Sequence, residues 1–136
     1  MKTFSIFVVF VAALTGQLFA GKVDLAKSQS PEVYIVKVHA DWCGSCQALK
    51  QPLSDLVSQL QSEPVLFVEL DFTNDGTIQQ SSLLADALEI REAVGQYNGT
   101  GKVLIVDAST GKVTKVLTLK DSVADMKAAV KQALAS

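Results

Sequence analysis

Cys43 and Cys46 are the only two cysteines of the chain, and they stand two residues apart in Trp42-Cys43-Gly44-Ser45-Cys46. A helical pattern begins at once behind them. At the start of a helix, residues i and i+3 share one face, so the two sulfurs can close a small disulfide ring. The first of them would sit at the helix N-terminus, where unpaired amides and the aligned peptide dipoles favour a thiolate. A stabilised thiolate beside a second thiol is what disulfide exchange requires. The same spacing also serves other chemistries. Haem attachment needs a histidine directly after the second cysteine, and Gln47 stands there. A tetrahedral zinc site needs four ligands, against two cysteines and one histidine, His39. A structural staple is a weak alternative, because so short a loop restricts the unfolded chain little. Two readings stay open beside redox chemistry. One is a module handling copper or zinc through Cys43, Cys46 and His39; the other is a binding module with an incidental disulfide.

The elements that must hold this pair can be read in order. Val33 to His39, rich in β-branched residues, is a buried strand. A helix over 43–60 follows, with Cys46, Leu49, Leu53, Leu56 and Leu60 on one face and a kink expected at Pro52. Val65 to Leu70 is a second strand. Residues 77–97 repeat Leu84, Leu88 and Val94 at helical spacing and read as one long helix, with Glu89 as its candidate break. Val103 to Val106 is a third strand, Ala108-Ser109-Thr110-Gly111 a hairpin turn, and Val113 to Leu119 an edge strand. Ser122 and Asp125 open a final helix through a capping box, with Val123, Met126, Val130 and Leu134 as its buried stripe.

The segment Ala40-Asp41-Trp42-Cys43-Gly44-Ser45-Cys46 resembles the active site of the thioredoxin family, and the element order β-α-β-α-β-β-α extends the resemblance over residues 32–135. It implies an α/β thioredoxin-like fold, a central mixed sheet flanked by helices. It also implies an enzyme in which Cys43 attacks a protein disulfide and Cys46 resolves the mixed disulfide. Gly44 and Ser45 set the ring geometry, and Trp42 is expected to shield the sulfurs and face the substrate. The chain departs from the family at two places. The buried aspartate six residues before the first cysteine is replaced by Lys37, and strand alignment sets Glu69 opposite it. A buried ammonium needs a partner, so a charge-exchanged pair of Lys37 and Glu69 beneath Cys46 is expected, with Glu69 as proton acceptor. The cis-proline before the third strand is also missing. Gly99-Thr100-Gly101 stands in its place, where a trans bond is expected and Thr100 is the residue expected near the disulfide.

Met1-Lys2, the apolar run Phe4 to Leu14 and a small residue at Ala20 read as a secretory signal peptide over residues 1–20, with an uncleaved anchor as the alternative. Residues 21–31 form a linker or irregular first element, and residues 32–136 the domain. This places the protein outside the cytoplasm, periplasmic or secreted. Asn98-Gly99-Thr100 matches a glycosylation sequon, read as chance. With 12 basic and 14 acidic side chains and no basic block, the chain offers no electrostatic support for nucleic acid or anionic membranes. No organic cofactor is called for, because the cysteine pair carries the electrons. The expected partners are disulfide-bonded proteins and a membrane-bound or exported electron donor, met by a monomer.

Overall fold

The computed structural model describes residues 30–97 and 99–136. The expected signal peptide, most of the linker and Asn98 of the sequon lie outside the described residues. The elements run β1 (Val33–His39), α1 (Gly44–Ala48), α2 (Lys50–Gln59), β2 (Val65–Asp71), α3 (Asp75–Ala87), α4 (Arg91–Gly95), β3 (Lys102–Asp107), β4 (Val113–Leu117) and α5 (Val123–Leu134). The four strands form one mixed sheet in the order β2-β1-β3-β4. β1 pairs parallel with β2 and antiparallel with β3, and β3 pairs antiparallel with β4.

Alternation along the strands sorts their side chains onto two faces. Val33 and Ile35 of β1, with Val103 and Ile105 of β3, pack against Leu49, Leu53, Leu56 and Leu60 and against Met126 and Val130 of α5. Val36, Val38, Leu104 and Val106 turn to the other face and meet Ala85, Ile90 and Val94. The sheet is therefore covered on both faces, which is why β1 reads as a nearly unbroken apolar run.

Three expectations change. The single helix over 43–60 is two, α1 and α2. Pro52 is the third residue of α2; it has no amide to give the Ala48 carbonyl and its ring crowds that oxygen, so the helix breaks there and restarts. The helical trace nonetheless continues, with Leu49 N–H on Ser45 O at 3.0 Å and Leu53 N–H on Leu49 O at 3.0 Å. The helix over 77–97 starts earlier, at Asp75, where Asn74 caps it, and is two helices, dividing at the candidate break Glu89, which takes φ 59°. Glu89 N–H bonds Asp86 O and Ile90 N–H bonds Ala85 O, the paired bonds of a Schellman stop. β4 ends at Leu117 rather than Leu119, because the Thr118 amide turns to the Asp121 carboxylate at 2.7 Å. The capping box of α5 is formed as expected: the Ser122 hydroxyl accepts from Asp125 N–H, and the Asp125 carboxylate accepts from Ser122 N–H.

Candidate active site

β1 ends at His39, and a short turn delivers the chain to α1 with both cysteines at its start. Cys43 is the N-cap residue, held by its own N–H on Ala40 O at 3.1 Å. The structure holds a Cys43–Cys46 disulfide with the Cα atoms 5.3 Å apart. Cys43 Sγ accepts the Cys46 amide at 3.2 Å and, being without a proton in the disulfide, accepts the Ser45 hydroxyl at 3.2 Å. Cys46 is fully buried against Ala40 and Cys43, and its sulfur lies 3.7 Å from Val38 O, the acceptor for its thiol hydrogen once the bond is reduced. Cys43 is the more exposed of the two, at 8%. Two donors and a helix start therefore converge on the outer sulfur, and a lone carbonyl faces the inner one. That asymmetry favours a thiolate at Cys43 and a thiol at Cys46.

The loop before β3 closes over this pair. Its Gly101 N–H bonds Val38 O at 2.9 Å, and Gly101 adopts φ 78°. A Cβ at Gly101 would overlap the Ser45 hydroxyl and lie 3.5 Å from Cys43 Sγ. The residue brought up against the CxxC turn is thus Gly101, whereas Thr100, the residue expected there, lines a neighbouring cleft. All peptide bonds among the described residues are trans, Thr100-Gly101 included. The sequence set this loop beside the disulfide but named Thr100 rather than Gly101 as the residue in contact; a glycine on each side of the threonine was the available signal.

Trp42 is 69% exposed, so it is no core filler. With Val38, Phe72, Val94, Tyr97 and Thr100 it lines an apolar cleft of about 460 Å³ beside the disulfide. Phe72, Val94 and Tyr97 carried no functional signal in the sequence: Phe72 stands in the loop after β2, and Val94 and Tyr97 recur at ordinary helical spacing.

Lys37 and Glu69 are cross-strand partners in the β1/β2 register, and Lys37 Nζ donates to Glu69 Oε2 at 2.7 Å. The pair is lopsided: the Lys37 side chain is 10% exposed and that of Glu69 51%. The ammonium is inside while its partner reaches water. They line a cavity of about 350 Å³ with Lys50, Leu53 and Val57 of the α2 side, and Cys46 is not among its lining residues. The expected pair is formed, then, but it opens towards solvent along α2 rather than being sealed beneath the cysteine.

His39 is buried, with Nε2 3.2 Å from Asp41 Oδ1. The Asp41 N–H bonds the Thr73 hydroxyl at 2.9 Å, and the Thr73 amide and hydroxyl both donate to Asp71. These Thr73 bonds, aided by the nearby Lys37 ammonium, hold the Asp71 carboxyl below its ordinary range. Among the described residues no three His, Cys, Asp or Glu side chains converge to hold a metal ion, so the metal-handling alternative gains no support from the geometry.

Comparison with known proteins agrees with this arrangement. The family model described as Thioredoxin matches residues 10–85. A Schizosaccharomyces pombe protein, provisionally named a protein disulfide-isomerase, is 26% identical over 87 residues, covering 57% of this chain and 18% of its own. The chain thus spans under a fifth of that relative's length. Among solved structures, a thiol:disulfide interchange protein of the thioredoxin family from Chlorobium tepidum TLS superposes with a TM-score of 0.52 at 23% identity, over 76% of this chain and 80% of that one, a likeness of fold. A family match over more than half of the sequence, a cysteine pair at the start of the first helix and a four-stranded mixed sheet in this order lead to one conclusion: the chain belongs to the thioredoxin family.

Proposed function

We propose that the protein is a thiol–disulfide oxidoreductase that works outside the cytoplasm and reduces disulfide bonds in other proteins. The observation that carries the reading is the disulfide itself. It closes at a helix start, with two donors on the outer sulfur, a buried inner sulfur and an apolar cleft alongside. In the reduced protein the Cys43 thiolate attacks a substrate disulfide; a new S–S bond forms, the substrate's bond breaks and one substrate thiolate leaves. Cys46 then loses its proton and attacks Cys43 Sγ, expelling the second thiolate and restoring the disulfide seen here. Two electrons pass to the substrate. Glu69, half exposed and bonded to Lys37, is the proposed acceptor of the Cys46 proton. The cleft beside Trp42 would take apolar residues flanking the substrate's cysteine. The leader-like residues 1–20 motivate the extracytoplasmic placement; the reducing direction is part of the proposal, and the potential decides it. Recharging then needs an exported or membrane-bound dithiol donor.

The reduction potential, measured by trapping thiols across glutathione buffers, tests the direction: about −270 mV marks a reductant and about −120 mV a disulfide donor. Cys43→Ser is expected to abolish reduction of a protein disulfide, and Cys46→Ser to accumulate a mixed disulfide through Cys43. Failure of any reversible Cys43–Cys46 disulfide to form would remove the reading. For the proton step, Glu69→Gln is expected to slow resolution of the mixed disulfide in single-turnover assays about tenfold or more, with attack by Cys43 unaffected. An unchanged resolution rate would exclude Glu69 as acceptor.

A further inference from the structure

We infer that Ser45 and Gly101 act together to set the redox equilibrium of the cysteine pair. The Ser45 hydroxyl stabilises the reduced Cys43 sulfur, and Gly101, by having no side chain, keeps open the space in which that hydroxyl sits. The inference rests on the oxidoreductase reading and deepens it. Ser45 touches the reacting sulfur, whereas Gly101 acts through Ser45 and is a positioning residue.

Both contacts are direct. Ser45 Oγ lies 3.2 Å from Cys43 Sγ, and a disulfide sulfur has no hydrogen to give, so the hydroxyl is the donor. A Cβ added to Gly101 would stand 2.2 Å from Ser45 Oγ, 3.2 Å from Ser45 Cβ and 3.5 Å from Cys43 Sγ. The hydroxyl therefore occupies the room that a side chain on Gly101 would need. The loop is held at this distance, because Gly101 N–H bonds Val38 O at 2.9 Å. That same carbonyl lies 3.7 Å from Cys46 Sγ. The loop before β3 thus meets the outer sulfur through Ser45 and the inner one through Val38 O. The Cys46 amide also reaches Cys43 Sγ, at 3.2 Å, but a backbone donor is there whatever the side chains are. Ser45 is the contribution of residue type.

The bond differs in strength between the two redox states. In the disulfide the hydroxyl meets a neutral sulfur, which is a weak acceptor. On reduction a dithiol donor gives up two electrons and two protons and becomes a disulfide itself. The Cys43–Cys46 bond breaks, Cys46 keeps one proton, Cys43 is left as a thiolate and the second proton passes to water. The hydroxyl then donates to a full negative charge, the stronger kind of hydrogen bond. A donor that favours the charged form pulls the equilibrium towards the dithiol by the difference between the two bonds. It also makes Cys43 a better leaving group from a mixed disulfide. Ser45 is exposed, so water competes for the hydroxyl and the gain is several-fold rather than orders of magnitude.

The test is the equilibrium of the full-length protein with glutathione at neutral pH, for Ser45→Ala, Gly101→Ala and the two combined. Ser45→Ala is expected to favour the protein disulfide about three- to tenfold, a fall of about 15–30 mV in reduction potential. Gly101→Ala is expected to shift the constant in the same direction, because its methyl group displaces the hydroxyl. The strain it adds at φ 78° is common to both redox states and cancels. Made on top of Ser45→Ala, it is expected to add nothing. An unchanged constant in Ser45→Ala would overturn the role of the hydroxyl, and fully additive shifts would overturn the coupling. Should Gly101→Ala fail to fold, Ser45→Ala alone still decides the first point. A purely structural role would move the urea midpoint and leave the glutathione constant where it is. Failure of the oxidoreductase reading looks different: the wild-type disulfide would not form reversibly at any glutathione poise.

Discussion

At the scale of single residues, the site depends on a glycine as much as on its cysteines. Gly101 combines a left-handed backbone with contact on Ser45 and a hydrogen bond to Val38 O, so a side chain there is excluded twice. Gly101→Ala is expected to destabilise the oxidised protein by about 2 kcal/mol, from strain at positive φ plus displacement of the Ser45 hydroxyl. It should also weaken the Ser45 bond to Cys43 Sγ. Urea unfolding checks the first effect and the pH dependence of Cys43 alkylation the second; an unaltered urea midpoint would contradict the geometry. Lys37 and Glu69 show how far residue identity alone reaches. The cost of an unpaired buried ammonium made a partner obligatory, and the strand register supplied Glu69. The exposure of the pair was not legible, because it depends on how α2 lies over the strand edge.

At the scale of elements, both helix breaks have local causes, and both positions were marked in the sequence, but only one by a residue type that explains it. Pro52 forces the break between α1 and α2 by chemistry that any reader of the chain can apply. Glu89 was the candidate break of the long helix, but its type does not explain the stop: the left-handed position of a Schellman stop is normally glycine, and a glutamate there looks like ordinary helix surface. Glu89→Gly removes the left-handed penalty while the stop remains. It is expected to raise stability by about 0.5–1 kcal/mol, read as a higher urea midpoint. A lower midpoint would mean that the glutamate side chain contributes more than its backbone costs. The capping box of α5 was legible because Ser122 and Asp125 carry both of its halves in their own side chains.

At the scale of the whole molecule, acid sensitivity follows from where the carboxylates are placed. Asp71, Asp86, Asp107 and Asp125 are all held below the ordinary 3.8, chiefly by bonds from Thr73, Arg91, Ser109 and Ser122 respectively. Folding therefore favours their charged forms. Their contribution is complete above the unfolded value and is lost as pH falls through the lower folded values. The urea midpoint of the oxidised protein should hold steady from pH 7 to about 5 and decline below about 4. Asp107→Asn should make that decline shallower. A midpoint unchanged down to pH 2 would show that these carboxylates are equally stabilised in the unfolded chain.

The sequence by itself determined the elements and the redox pair. A buried strand, a helix start with two cysteines, a proline break and a capping box are local consequences of residue type and spacing, which no distant contact has to supply. It also determined that Lys37 needs an acid. Tertiary structure decided everything that requires two distant segments to meet. Register put Glu69 beside Lys37, the β2-β1-β3-β4 order brought Gly101 onto Ser45, and α4 folded back to build the cleft with Trp42. It also buried His39 with one nitrogen unpaired. The reason is physical: a hydrogen bond to a neighbour in sequence is fixed by backbone geometry, whereas a vacant lone pair or an excluded Cβ exists only where the packed chain returns to the same point.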